Sequence, residues 1–274
     1  MQLSNQSVGI AMSGGGAKGL AHVGVLMYLE EIGINTNIVA GTSAGAIVGA
    51  LYAAGHRPDA IIDFFVKTPL FSFSNFLSLT QGWRGLVDPE KLYKYFEPYI
   101  PNDDFTSLEK KLRVIATDMV KAKETMFTEG SVIRAILASS AFPLFFAPVE
   151  ANGTSYADGG IINHFPADAI RRECEYLIGV YVSPLKEVNT QQMRSVKNIL
   201  ERSLELKGHL AEKSKFVLCD VMIYMDELQE FATFDTDEDI LREIVKIGYE
   251  KAKSHHADFI KLKSELNKTR TVEF

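Results

Sequence analysis

Short apolar runs rich in β-branched residues alternate with segments of helical periodicity over residues 8–54. The runs at 8–12 and 37–42 have the length and composition of buried strands, and the segments at 18–32 and 44–54 repeat apolar positions at helical spacing. Such alternation is typical of β-α-β units, in which helices cover parallel strands. The pattern predicts an α/β fold, a three-layer sandwich with a mainly parallel central sheet covered by helices.

The rest of the chain extends this architecture. Further strands are predicted at 112–119, 124–130, 176–183 and 220–226. A long helix is predicted from about residue 191 to 213, and another begins at Asp237. The first of these helices carries apolar residues on one face: Met193, Val196, Ile199, Leu200 and Leu204. We expect a single domain over residues 1–274, with a motif-bearing part at about 8–183 and a helical C-terminal part at about 190–270.

Composition and charge exclude several classes of protein. Hydrophobic residues make up 46% of the chain and charged residues 23%, the balance of an ordinary globular protein. The net charge of −6 offers no basic surface, so we expect no nucleic-acid partner. Cys174 and Cys219 lack the spacing of a disulfide framework or metal site, and the N-terminal residues lack the apolar region of a secretory signal. These features predict a cytoplasmic protein with two buried thiols.

A glycine-rich turn, SGGGAKG at 13–19, follows the first predicted strand. Gly14, Gly16 and Gly19 match the dinucleotide pattern G-x-G-x-x-G, but a dinucleotide site also needs an acidic residue near the end of the second strand, where NIVAGTSAG has none. A Walker loop needs lysine and then serine or threonine after its last glycine, whereas Gly19 is followed by Leu20. The third candidate is an oxyanion hole, because glycine backbones bring amide groups close to negative charge.

The second predicted strand runs into GTSAG at 41–45, a G-x-S-x-G at a strand-to-helix turn. This is the setting of a nucleophile elbow, in which small flanking residues let the turn close and present the serine hydroxyl above the sheet. Taken alone, the motif also fits a tight turn with a helix-capping serine. Since consecutive β-α-β strands lie near each other, a glycine loop next to it favours a hydrolase. Ser43 is then the nucleophile, and Gly14, Gly15 and Gly16 offer amides to the oxyanion.

With these motifs in place, the sequence resembles the patatin-like phospholipases, a family of serine lipid acyl hydrolases. The resemblance rests on GGGAKG at 14–19, GTSAG at 41–45, ASSAFPLFFAPV at 138–149 and DGG at 158–160. It implies a Ser-Asp dyad of Ser43 and Asp158, an acyl-enzyme on the serine, a lipid ester as substrate and no cofactor. Lys18 matches the basic position of the family's glycine loop, where it either orients the loop or is a solvated lysine at a helix start.

Two alternatives stand beside this interpretation. A conventional α/β-hydrolase esterase would use a Ser-His-Asp triad with a histidine downstream of the serine. The candidates for that role are His164, His209, His255 and His256. The other alternative is a non-catalytic lipid-binding regulator that keeps the pocket. His22 and His56 are expected on helix or loop surfaces, and no group of ligand-type residues has metal spacing, so no metal site is expected.

The segment TPLFSFSNFLSL at 68–79 concentrates aromatic residues where regular patterning is weak. One interpretation is a plug of the core between helices and sheet. The other is the wall or lid of an acyl-chain pocket, with Phe71, Phe73 and Phe76 against the lipid. A neutral-to-acidic surface gains little from anionic lipid, so we expect transient contact with a membrane surface to depend on such apolar side chains.

Overall fold

The computed structural model describes residues 7–68, 87–143, 145–151 and 153–270. Within them, eight strands form one sheet: β1 (Val8–Met12), β2 (Ile38–Thr42), β3 (Lys111–Asp118), β4 (Lys123–Phe127), β5 (Val149–Ala151), β6 (Thr154–Asp158), β7 (Tyr176–Tyr181) and β8 (Val221–Tyr224). The helices are α1 (Ala21–Glu31), α2 (Ala44–Ala53), α3 (Pro58–Lys67), α4 (Tyr93–Phe96), α5 (Val132–Ser139), α6 (Ala167–Ile170), α7 (Val196–Glu212), α8 (Glu238–Ser254) and α9 (His256–Arg270).

The centre of the sheet is parallel and one end is antiparallel. Strands run in the order β5-β6-β3-β2-β1-β7-β8, with β4 pairing only with β3. The pairs β3-β2, β2-β1, β1-β7 and β7-β8 are parallel, while β4, β5 and β6 pair antiparallel. Because Met12 pairs with Gly41, the loops that follow β1 and β2 leave the sheet side by side.

Helices cover both faces of the sheet, and each face has its own hydrophobic core. Alternate side chains of β1 divide between the two cores: Ile10 and Met12 join the larger one, and Ala11 joins the smaller one. The larger core includes α1, α2, α3, α5 and α8, whereas the smaller one is covered by α6 and residues 213–218. The predicted three-layer α/β sandwich is confirmed.

Several details differ from the sequence prediction. The predicted helix at 18–32 is a 3₁₀ turn, Gly16–Leu20, followed by α1. The long helix begins at Val196 instead of near 191 because the Ser195 hydroxyl accepts the Asn198 amide as an N-cap. Strands β5 and β6 were not predicted, since their sequences lack apolar alternation. None of the helices in the described ranges combines the length and apolarity needed to cross a membrane.

Candidate active site

Two strands meet end to end on one edge of β3. Val114 and Ile115 pair with β2 on one side and β4 on the other, whereas the next three residues of β3 pair with β4 and β6. Strands β2 and β6 therefore share an edge and run toward each other. Thr42 lies opposite Ile115, and Asp158 lies opposite Ala116. The residue that follows β2, Ser43, is thereby brought next to the last residue of β6.

Ser43 has the strained backbone of a nucleophile elbow, with φ of 53° and ψ of −122°. The two glycines of GTSAG make this turn possible by close backbone approach. A Cβ on Gly41 would lie 2.4 Å from the Gly45 carbonyl oxygen, and one on Gly45 would lie 2.4 Å from the Met12 carbonyl oxygen. The turn places Ser43 at the N-terminus of α2, whose dipole favours negative charge.

Asp158 is buried beside the serine. Burial raises its pKa to about 6, and the Ser43 hydroxyl and the Gly160 amide oppose that rise. The Gly160 amide donates to Asp158 Oδ1 at 2.7 Å, while Oδ2 has no hydrogen bond of regular geometry to the described residues and is the oxygen left to receive a proton. A carboxylate with this pKa is a stronger base than an exposed aspartate and is still mostly ionised at neutral pH.

Ser139 ties the elbow to the sheet, a role that the sequence alone does not predict. Its buried hydroxyl accepts the Ser43 amide at 2.8 Å and donates to the Ile115 carbonyl at 2.5 Å. The sequence feature that could have pointed to Ser139 is the block ASSAFPLFFAPV at 138–149, whose first serine is the last residue of α5. Since Ser43 holds an unfavourable φ, these two bonds stabilise the backbone conformation that presents its hydroxyl.

The three glycine amides of the loop differ in whether they already have a hydrogen-bond acceptor. The Gly14 amide donates to the His164 carbonyl at 3.0 Å, so it is engaged in holding the loop. The amides of Gly15 and Gly16 donate to no protein acceptor within the described ranges. Gly16 has φ of 59°, and its Cβ would lie 2.1 Å from the Thr233 carbonyl oxygen, so only glycine fits there. Two amides of the predicted three are thus available for an oxyanion.

Lys18 is 8% exposed and lines the same cavity as Ser43. This burial excludes the solvated-lysine alternative. Its ammonium makes no hydrogen bond or salt bridge with the residues that the structure describes, and burial lowers its pKa while the charge of Glu205 opposes the change. Lys18 is therefore a buried amine in the cavity that has no direct partner among the described residues and feels the charge of Glu205.

Among the described residues, the structure records no hydrogen bond between a histidine ring and Ser43. No hydrogen bond joins the His164 ring to Ser43 in the described part of the chain, and burial, followed by the charge of Lys18, lowers the pKa of His164 to about 4. The Nδ1 atom of His209 lies 3.4 Å from the Tyr181 hydroxyl oxygen, so this ring is paired with the tyrosine. The prediction of a surface His22 is wrong: its ring is fully buried and its Nε2 bonds to the Ser13 carbonyl at 2.9 Å, beneath the glycine loop.

A cavity of about 410 Å³ contains Ser43 and Asp158. Apolar side chains of its wall include Ile47, Leu92, Phe96, Ile136, Phe146 and Phe234. Its polar side chains include Lys18, His164, Tyr181, Ser183, Glu205 and His209. A wall with both kinds of side chain suits a ligand that has an apolar chain and a polar end.

The sequence also led us to expect an aromatic pocket wall or lid and no metal site. Phe71, Phe73 and Phe76 lie outside the described residues, so their assignment to a pocket wall or lid stays a prediction. Among the side chains that are described, no group of three or more His, Cys, Asp or Glu is arranged to hold a metal ion.

The comparison with protein families agrees with the fold and the motifs. The family model described as "Patatin-like phospholipase" matches residues 10–171. The match covers more than half of the chain and includes Ser43, Asp158 and the glycine loop. The chain belongs to the patatin-like phospholipase family.

Individual relatives share about a third or less of their aligned residues with this chain. The chain is 32% identical over 163 residues to an uncharacterised NTE-family protein of Mycobacterium tuberculosis. This aligned region covers 60% of this chain and 45% of the relative. It is 29% identical over 196 residues to the lysophospholipase NTE1 of Meyerozyma guilliermondii, covering 68% of this chain and 13% of the relative. The chain thus spans less than half the length of these curated relatives.

A solved structure supports the fold alone. The crystal structure of VipD from Legionella pneumophila superposes with a TM-score of 0.52 at 17% sequence identity. The superposition covers 92% of this chain and 66% of VipD. At this identity the likeness concerns the arrangement of strands and helices.

Proposed function

We propose that this protein is a serine lipid acyl hydrolase that cleaves carboxylic esters through an acyl-enzyme on Ser43, with Asp158 as the base. The observation that carries the proposal is the end-to-end meeting of β2 and β6 on β3, which puts a strained serine beside a buried aspartate. Membership of the patatin-like phospholipase family supports the same chemistry.

In the proposed reaction, the Ser43 hydroxyl oxygen attacks the ester carbonyl carbon while its proton passes to Asp158. The tetrahedral intermediate then breaks its bond to the alcohol, which leaves with that proton, and the acyl group stays on Ser43. Water attacks the acyl-enzyme, gives one proton to Asp158, and releases the fatty acid as that proton returns to the serine oxygen. No cofactor takes part in these steps.

The amides of Gly15 and Gly16 are the proposed donors to the carbonyl oxygen as it becomes negative. Gly14 holds the loop through its bond to the His164 carbonyl, and the buried ring of His22 supports the loop from below. Lys18 adds positive charge to the cavity and contacts no carboxylate within the described ranges, which favours an anionic or transiently anionic ligand.

We infer a lipid substrate from the mixed lining of the cavity. An acyl chain against the apolar side chains gains about 0.8 kcal/mol for each buried methylene, and Lys18 is among the polar side chains available to the polar end of the substrate. The name of the Meyerozyma guilliermondii relative, lysophospholipase, makes single-chain phospholipids the first substrates to test.

Ser43→Ala tests this proposal against a matched serine variant. We expect it to abolish hydrolysis of lysophosphatidylcholine and of p-nitrophenyl esters while leaving the circular dichroism spectrum unchanged, because alanine removes one hydroxyl only. Ser264→Ala is the control, since that exposed hydroxyl donates to the Lys261 carbonyl of its own helix and lies far along the chain from the cavity-lining residues. Near-parental turnover by a folded Ser43→Ala protein would refute the assignment of the nucleophile.

A further inference from the structure

Helix α7 exposes a row of large aliphatic side chains to solvent. The exposed fractions are 74% for Val196, 48% for Ile199, 44% for Leu200, 39% for Leu206 and 69% for Leu210. At 3.6 residues per turn, these five positions fall within an arc of about 120° on one side of the helix. We call them the aliphatic stripe. Five of the eleven exposed large apolar residues in the described ranges lie on this one helix.

The polar side chains within the same arc are already bonded. The Ser203 hydroxyl donates to the Ile199 carbonyl of its own helix, and the Lys207 ammonium donates to the Ile161 carbonyl. Two carboxylates of the helix lie on other sides, because Glu205 lines the cavity and Glu212 is buried against Lys215. The stripe therefore presents an apolar strip to its surroundings.

The opposite side of α7 is a wall of the candidate active site. Leu204, Glu205, Gly208 and His209 line the cavity that contains Ser43. Leu204 is one helical turn from Leu200, so the stripe continues around the helix into the cavity wall. The Lys207 bond to Ile161 also ties α7 to the turn that follows Asp158. A surface on which the stripe rests would lie next to the cavity.

We propose that the aliphatic stripe docks on the surface of a lipid bilayer or micelle and holds the cavity against the aggregate that supplies the substrate. The choice of a lipid surface rests on the proposed lipid substrate. It also follows from the chemistry of the stripe, which consists of Val, Ile and Leu and lacks the Tyr, Trp and Arg anchors that dominate protein interfaces. An apolar face on an amphipathic helix is the form that interfacial helices take.

The charge of the helix predicts how the docking depends on lipid composition. Residues 196–212 contain three basic residues, at 197, 202 and 207, and three acidic ones, at 201, 205 and 212. With no net charge on the helix, attraction to anionic lipid contributes little. We expect binding to phosphatidylcholine vesicles and only a small gain when phosphatidylglycerol is added.

Vesicle co-sedimentation in a Ser43→Ala background tests the proposal without turnover. Leu200→Ser with Leu210→Ser should lower the partition coefficient by roughly tenfold or more, because two exposed aliphatic side chains lose their burial in lipid. The matched control is Val120→Ser with Ile260→Ser, whose exposed fractions of 64% and 45% are similar but whose positions lie off the stripe. The control should sediment with vesicles like the parent.

A second measurement keeps the apolar surface intact. The tryptophan fluorescence of Leu210→Trp should shift to shorter wavelength when phosphatidylcholine vesicles are added, while that of Ile260→Trp should not. Both variants keep the native Trp83, so its emission contributes equally to each. This comparison decides the outcome if the double serine variant fails to fold. Equal shifts at both positions, or none at Leu210→Trp, would overturn the proposal.

Two further results separate this proposal from its competitors. Light scattering that shows a dimer dissociated by the double serine variant, with no vesicle binding by the parent, would make the stripe a contact between two copies of the chain and overturn lipid docking. Hydrolysis of a short-chain monomeric ester is measured separately on the protein with its native serine. Vesicle binding without that hydrolysis would refute the proposed function alone, whereas hydrolysis without vesicle binding would refute the docking surface alone.

Discussion

The ionisation of Asp158 should set the acid limb of the pH profile. A general base acts only when ionised, and burial raises the pKa of this carboxyl to about 6. With that pKa, about 9% of the carboxyl is ionised at pH 5 and about 91% at pH 7. We therefore expect kcat/KM to fall about tenfold between pH 7 and pH 5, with the midpoint near 6.

The assay is the initial rate on a short-chain p-nitrophenyl ester from pH 3 to 8, read at a wavelength where both forms of nitrophenol absorb equally. A short monomeric ester avoids any effect of pH on lipid aggregates. Asp158→Asn should lose several orders of magnitude in rate at all of these pH values and show no acid limb. His164→Ala should keep the inflection near 6.

The position of the inflection distinguishes the two candidate bases. Burial lowers the pKa of His164 to about 4, so a histidine base at this position would move the acid limb to about pH 4. An inflection there, abolished by His164→Ala, would refute the Ser-Asp dyad. A profile that is flat from pH 3 to 8 would contradict both assignments.

Acid unfolding has to be measured over the same range. His22 and His164 have pKa values lowered by burial from 6.5 to about 4, so the folded state binds fewer protons than the unfolded state between those values. Their contribution to stability is therefore lost as pH falls from 6.5 toward 4. The raised pKa of Asp158 acts in the opposite sense between 3.8 and about 6. Circular dichroism at each pH separates unfolding from the titration of the base.

Three other substitutions test how the site and the helices are held. Ser139→Ala should cost about 1–3 kcal/mol of stability and lower kcat, since it leaves the Ser43 amide without its acceptor; unchanged values in urea unfolding and kinetics would contradict this. Gly16→Ala should lower kcat/KM by about 100- to 1,000-fold because its Cβ would meet a backbone oxygen at 2.1 Å, whereas Gly153→Ala, also at positive φ but in open space, should not. Gly248→Ala should destabilise the protein by about 1–3 kcal/mol or more, because its Cβ would lie 2.0 Å from a carbonyl of α1, and an unchanged melting temperature would disprove that close packing.

The parts of the site that local sequence encodes were predictable. The elbow at Ser43 follows from GTSAG after an apolar strand, because the two glycines and the turn are neighbours along the chain. The turn after β1 was predictable for the same reason. The sequence could not predict which of its amides are free, because the Gly14 amide donates to the carbonyl of His164, a residue far along the chain.

Features that depend on long-range pairing were missed. Strand β6, with the sequence TSYAD, has no apolar alternation, and it is a strand because β3 and β5 supply its partners. The expected surface position of His22 failed because this turn of α1 is buried in the larger core, with α8 packed against the helix. The apolar pattern of α7 was visible in the sequence, but only the fold shows that much of it faces solvent.

The most direct test of the central claim is covalent labelling with a fluorophosphonate, followed by peptide mapping by mass spectrometry. We expect one adduct on Ser43, no adduct on the folded Ser43→Ala protein, and much slower labelling of Asp158→Asn. An adduct on a different serine, or full labelling of Ser43→Ala, would contradict this expectation.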